Sequence, residues 1–384
     1  MHANLSDQDR ASLADQDFLD AITAFVDSEL HDVHGRDARS EYPADLVSRL
    51  RQLHLFDACT RDLETYALAL EEIGRGWLSL VPVVNAHSTS VWTVKNYGTA
   101  AQRARWSGPL ETGAAIAALA LTEAHAGSDL QQIRSTAERV EHGWLIRARK
   151  ALITHAANSD LLLILVRTDP TPGSGAGGLS LFLLQAGEWT VDRRLDKLGS
   201  RGIETVELSV NGIMVPDDRL IGGVPGHGFR QVMDGLEVGR IAVAAAAVGV
   251  ARSAFWNAVS YASEREAFGT ALIEKPTVRT RLGAVAIEIA AAKALTLAAA
   301  RAKQAGGRRD IEAASAKVAA GDAALHAALA GMELGGGWAY VEDLEFSRFL
   351  RDSALFIAGE GSNAVLTDLV GTRLAKAGPS RDWI

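Results

Sequence analysis

Between about positions 15 and 112, apolar residues recur at three- and four-residue steps. Leu63, Tyr66, Leu70, Ile73 and Trp77 fall on one such stripe, the spacing of a helix that buries one face. Proline is rare there, and alanine and long charged side chains fill the remaining positions. From about 113 to 224 the pattern shortens. The runs Ala115–Leu121, Trp144–Ile153, Leu161–Val166, Leu179–Leu184 and Thr205–Val210 are apolar or alternating. Turns carrying Gly, Pro and Asp part them, as at Thr171–Gly178 and Pro216–Gly223. This predicts the short strands of an antiparallel β domain. From about 225 the helical spacing returns. Ala242–Ala247, Ala290–Ala302 and Ala314–Ala330 read as parts of long helices whose small side chains let backbones approach. The expected fold class is α+β, in the order α, β, α. The N-terminal helical domain is expected over 1–112, the middle β domain over 113–224 and the C-terminal helical domain over 225–384.

Composition narrows the function classes. The chain has 384 residues, enough for two or three domains, and its 48% hydrophobic and 22% charged content argues against disorder. Lys and Arg number 39 against 47 Asp and Glu, a net charge of −8, which gives no support to a binder of nucleic-acid backbone. Cys59 is the lone cysteine, so neither an internal disulfide framework nor a cysteine-based zinc site is expected. Met1 to Asp20 holds no apolar run, and no secretory leader is expected. The longest apolar run, Ile241 to Ala251, falls short of the roughly 20 residues of a membrane span. A cytoplasmic protein is expected.

Five segments carry candidate chemistry. Leu121 to Asp129 (LTEAHAGSD) follows a predicted strand, and its Gly127-Ser128-Asp129 end offers amides and a hydroxyl to a phosphate or a polar ring edge; a capped turn without a ligand has the same look. Lys150 to His155 is a strand ending in Thr and His. Arg265 to Gly269 closes a helix, and Arg265 can meet either a phosphate or its neighbours Glu264 and Glu266. Gly335-Gly336-Gly337 breaks two helices, or is a plain turn. Arg351-Asp352 precedes Gly359-Glu360-Gly361-Ser362, where Glu360 stands just before a helical run. A carboxylate there is favoured by the helix dipole even without a catalytic role.

In order and spacing these segments resemble the acyl-CoA dehydrogenases, flavin enzymes that desaturate acyl thioesters. The resemblance spans about residues 60 to 376. Leu195 to Gly199 with Val215-Pro216, and Glu237 to Arg240, belong to it as well. It implies a helical domain, a β domain and a C-terminal four-helix bundle, with FAD between the last two. Leu119, Leu121, Thr122, Gly127 and Ser128 would line the flavin. Leu152, Ile153 and Thr154 would cover one face of it. Arg265, Ala267 and Phe268, with Glu333, Gly336 and Gly337, would reach the FAD of a neighbouring subunit, which implies a homodimer or homotetramer. Ser362 and Ala364 would lie near the adenine side or the pyrophosphate. Ser128, Glu237, Arg240 and Gly361 would face an acyl-CoA or an acyl carrier protein thioester.

By the same resemblance Glu360 is the base that removes the α-proton while a hydride passes to flavin N5. Some members carry the base directly before the arginine matching Arg240; here that residue is Gly239, which favours Glu360. An electron acceptor such as an electron-transfer flavoprotein is implied as a partner. Several positions depart from the family: Glu333, Ala339, Pro276, Ala364, His125, His155 and Gly359. Glu333 near a pyrophosphate would be repulsive. Two other readings stay open: a flavin oxidase or monooxygenase on a non-thioester substrate, and a non-catalytic paralogue.

Overall fold

The computed structural model describes residues 7–30, 32–171 and 173–377. Seven helices come first: α1 (Asp7–Glu29), α2 (Val33–Ala38), α3 (Ala44–Gln52), α4 (Ala58–Arg61), α5 (Leu63–Gly76), α6 (Val81–Tyr97) and α7 (Ala100–Glu111). The α5 stripe forms as its spacing predicts, with Leu63, Tyr66, Leu70 and Ile73 fully buried. Asp62 caps it, its side chain accepting from the Thr65 amide at 2.7 Å.

Seven strands follow: β1 (Ala117–Ala120), β2 (Thr136–Val140), β3 (Gly143–Thr154), β4 (Leu161–Arg167), β5 (Leu179–Gln185), β6 (Thr190–Arg194) and β7 (Thr205–Val215). They form one sheet in the order β1-β4-β2-β3-β7-β6, with β5 also on β4. Most pairings are antiparallel, but β1 and β2 lie parallel to β4. The continuous apolar run of β4 suits a strand covered on both faces, and six of its residues are buried. Apolar patterning does not announce β2 and β6, because β6 is almost wholly exposed and β2 buries a single residue.

The C-terminal part holds α8 (Gly228–Glu264), the hairpin β8 (Glu266–Ala267) and β9 (Thr270–Ala271), α9 (Pro276–Gln304), α10 (Asp310–Gly335), the short α11 (Gly337–Tyr340), α12 (Phe346–Ser353), α13 (Leu355–Ala358), and α14 (Asn363–Ala377). The long helix α8 is the spine of the molecule, lying against α5, α6, α9 and α10. Its small residues are a requirement of that packing. A Cβ on Gly249 would sit 2.0 Å from the Glu71 carbonyl oxygen of α5, and one on Gly74 would sit 2.6 Å from the Ala246 carbonyl oxygen. By length and composition α8 and α9 both reach what a bilayer span needs. The most apolar window of α8 is 83% buried in protein, whereas that of α9 is 33% buried.

One apolar core runs from the N-terminal helices through α8 to α10, and a second fills the β domain around Ile146, Phe182 and Val206. A buried carboxylate joins the parts. Asp352 of α12 accepts from the Ser200 amide at 2.7 Å and from Arg348, and burial pushes its pKa up to about 6.

Candidate active site

Glu360 sits in a sharp turn between α13 and α14. It adopts φ 55° and the next residue, Gly361, φ 99°. A left-handed non-glycine residue is strained by about 1–3 kcal/mol and persists only where its surroundings enforce it. The enforcement is visible. Lys317 of α10, fully buried, donates to the carbonyls of Phe356 (2.7 Å) and Gly361 (2.9 Å) and to Oδ1 of Asn363 (2.7 Å). All three ammonium protons are thus spent on the segment that carries Glu360. Burial draws the Lys317 pKa down to about 8.

The carboxylate of Glu360 points toward the N-terminal helices and α8. Its Oε1 accepts from Asn85 Nδ2 of α6 at 2.8 Å. A Cβ built on Gly239 would lie 3.2 Å from Oε2, so the glycine leaves the space that the carboxylate uses. Arg240 donates through Nε to the Glu360 carbonyl at 3.3 Å. The Glu360 amide makes no hydrogen bond among the described residues. Burial raises the pKa of Glu360, and Arg240, Asn85 and Lys317 pull against it.

Glu237, one turn before Arg240 on α8, stands differently. It is buried and already satisfied, accepting from Lys303 Nζ at 2.6 Å and from the Arg309 amide at 3.0 Å. That leaves Arg240 and Gly361 as the expected substrate contacts beside Glu360, with Ser128 exposed on its loop.

The β domain presents a second surface. β3 carries a bulge between Lys150 and Ile153 in its pairing with β7. There Leu152 takes φ 58° and is 63% exposed, while Ile153 is buried and Thr154 is half-buried. The 121–127 segment is fastened beside it. Ala151 N donates to the Thr122 carbonyl at 3.0 Å. Buried Lys150 donates to the Leu121 carbonyl and to Glu123 Oε1, both at 2.9 Å. Glu123 also accepts from the amides of Arg134 and Ser135. Burial draws Lys150 down to about 8. Burial pushes Glu123 up, but Lys150 and the hydrogen bonds outweigh it and hold the carboxyl low.

His155, next to Thr154, is locked from the other side. The single Ser159 hydroxyl proton goes to the His155 carbonyl at 2.8 Å. His155 Nδ1–H therefore donates to Ser159 Oγ at 3.1 Å, and Nε2 accepts from Tyr42 Oη at 2.8 Å. Burial lowers its pKa and keeps the ring neutral.

The residues expected to reach a neighbour do lie at the outside. In the β8–β9 turn Phe268 (φ 52°) and Gly269 (φ 81°) are both left-handed, and Phe268 is 99% exposed. Arg265 is exposed and forms no ion pair among the described residues, with Glu264 and Glu266 included. Glu333 is paired with Arg281 of α9 at 3.2 Å. Gly336 takes φ 53°, ψ −129° at the break between α10 and α11, and Gly337 and Trp338 are exposed beyond it.

These surfaces suit a flavin dinucleotide. Leu152 offers an exposed apolar face, and the hydroxyls of Thr122, Ser128 and Thr154 have no protein partner among the described residues. In the first turn of α14 Ser362 Oγ accepts from the Val365 amide at 3.4 Å, while the amides of Asn363 and Ala364 have no partner among the described residues; with the positive end of the helix dipole they suit an anion such as a pyrophosphate. Asn85 and Lys317 were not foreseeable as site residues. For Asn85 the one signal is a cluster of polar side chains, Asn85, His87, Ser88, Thr89, Ser90 and Thr93, all buried on one helix; Lys317 has none.

The N-terminal, middle and C-terminal domains of the acyl-CoA dehydrogenase family match residues 13–114, 118–213 and 226–375. An acyl-CoA dehydrogenase of Bacillus subtilis is 32% identical over 337 residues, covering 85% of this chain and 88% of that protein. A short-chain-specific acyl-CoA dehydrogenase of Megasphaera elsdenii is 30% identical, covering 94% and 98%. The solved structure of butyryl-CoA dehydrogenase from Megasphaera elsdenii aligns with a TM-score of 0.91 at 29% identity, over 98% of this chain and 100% of that one.

Proposed function

The chain belongs to the acyl-CoA dehydrogenase family, and on that basis we propose that it desaturates a short acyl-CoA at the α,β-carbons with Glu360 as the base. Members of this family are FAD-dependent oxidoreductases that act on CH–CH groups. The observation that carries the reading is the Glu360 carboxylate, turned inward between Asn85, Gly239 and Arg240 on a strained turn.

FAD, when bound, supplies the two-electron acceptor for the hydride that leaves the β-carbon. Thr122, Ser128, Leu152 and Thr154 would hold its ring, and Ser362 and Ala364 its pyrophosphate end. The chain's own residues do the remaining work. A thioester α-proton is weakly acidic, so its removal needs a base of raised pKa in a water-poor place. Glu360 takes that proton on a carboxylate oxygen. Its unpaired amide is free to donate to the thioester carbonyl, stabilising the negative charge that develops there. Arg240 steadies the Glu360 backbone and lends positive charge.

The test is anaerobic mixing of the FAD-loaded enzyme with a panel of acyl-CoA and acyl-carrier-protein thioesters. A short acyl-CoA is expected to bleach the flavin, and bleaching by no thioester overturns the reading. The pH profile has a defined sign. Only ionised Glu360 can accept a proton, and its pKa lies above the ordinary carboxylate value. The reduction rate is therefore expected to climb as pH rises through that raised pKa, and to level off above it.

The electrons then pass to an electron-transfer flavoprotein, and the enzyme works as a homo-oligomer. Phe268 at 99% exposure, Tyr340, Trp338 and the largely uncovered apolar helix α9 support the second statement. Phe268→Ser is expected to shift the protein toward monomer on a sizing column and to lower its FAD content. A wild-type monomer that retains FAD at micromolar concentration refutes the oligomer.

A further inference from the structure

The amide of Asn85 is oriented at a cost. Nδ2 donates to Glu360 Oε1 at 2.8 Å, while Oδ1 is buried and has no partner. That oxygen faces the same space over Gly239 as Glu360 Oε2: a Cβ there would be 3.4 Å from the one and 3.2 Å from the other. Rotating the amide by half a turn would set its oxygen against the carboxylate, so the orphaned acceptor is what the contact with Glu360 demands. Unpartnered buried acceptors are few in folded proteins. Asn85 is also only 4% exposed and sits 275 positions from Glu360 in sequence, so the contact is made by domain packing.

We propose that Asn85 is the positioning residue of the proton-abstracting carboxylate: from helix α6 it fixes the Glu360 oxygens over Gly239. This rests on the reading of Glu360 as the base. The other groups facing the carboxylate are Arg240 from α8, Lys317 from α10 and the Tyr66 hydroxyl from α5. Arg240 and Lys317 direct their hydrogen bonds to backbone carbonyls and to Asn363. Asn85 alone among the described residues donates to the carboxylate itself. A hydrogen bond to the charged form favours that form. Removing it also frees the side chain to leave the geometry in which an oxygen meets the α-carbon.

The test compares wild type, Asn85→Leu and Asn85→Asp as FAD-loaded proteins. The first readout needs no substrate: the carboxyl infrared band of Glu360, assigned by its loss in Glu360→Gln, is titrated with pH. Its midpoint is expected to rise by about one unit in the Leu variant and further in the Asp variant, where a second carboxylate faces the first. The second readout is anaerobic flavin reduction by an acyl-CoA. Below the midpoint its limiting rate is expected to fall about tenfold in the Leu variant, with KM little changed. Should the Leu variant lose FAD, Asn85→Ser answers the same question. A Glu360 midpoint that stays at the wild-type value in a folded, FAD-loaded variant overturns the proposal. If no thioester reduces even the wild type, the dehydrogenase reading fails, and the infrared titration alone decides the role of Asn85.

Discussion

Replacing Glu360 with Gln is expected to slow anaerobic flavin reduction by at least about a thousandfold, the scale of removing an essential acid–base group and its positioning. That loss corresponds to about 4 kcal/mol of transition-state stabilisation. The side chain keeps its size, and the amide can still accept from Asn85 Nδ2 through its oxygen. The turn itself is held by Lys317 through backbone carbonyls, so the variant is expected to fold, to stay yellow and to bind thioester. Stopped-flow absorbance of the flavin with a substrate verified on wild type gives the rate. Near-wild-type bleaching by Glu360→Gln would place the base elsewhere. Glu237 is unsuitable as a control carboxylate: it neutralises buried Lys303, so its substitution reports on folding.

The second large effect is on stability and cofactor retention. Lys150→Met is expected to destabilise the protein by about 3–5 kcal/mol, because it leaves a buried carboxylate without its counter-charge. Lys150 and Glu123 are 0% and 4% exposed at their side chains, with 2.9 Å between them. The same ammonium also holds the Leu121 carbonyl, so the loop bearing Thr122 and Ser128 is expected to loosen and FAD content to fall. Urea unfolding of the FAD-loaded protein measures the first effect, and the ratio of flavin to protein absorbance the second. In Lys150→Met/Glu123→Leu the orphaned charge is gone too, and most of the lost stability is expected to return. A single variant as stable as wild type would show that this pair does not secure the loop.

Local patterning carried most of the architecture. The α5 stripe, the alanine-rich runs of α8, α9 and α10, and the apolar strands β1, β3, β4, β5 and β7 are all statements about neighbours in sequence, and periodicity reports neighbours in sequence. β2 and β6 escaped because an edge or surface strand has little apolar face to show. Parallel pairing of β1 with β4 escaped because strand direction depends on partners about 40 residues apart.

The chemistry-bearing segments divide the same way. Gly-Glu-Gly ahead of a helix marks Glu360, and Gly127-Ser128 marks a loop with free donors, since both signals are contained in a few adjacent residues. What surrounds Glu360 is not contained there. Asn85 arrives from α6, Gly239 and Arg240 from α8, and Lys317 from α10. Gly239 and Arg240 stood out only through the family resemblance, and Asn85 and Lys317 each read as an ordinary helix residue. Sequence by itself determined the elements and the order of the candidate segments. Tertiary packing decided which carboxylate is free and which is spent: Glu237 stands on α8 and Glu360 faces it, yet Lys303 neutralises the first while the second keeps an amide donor and a glycine-sized space. A carboxylate's availability is set by the charges and donors within a few ångströms of it, and those come from chain segments that only the fold brings together.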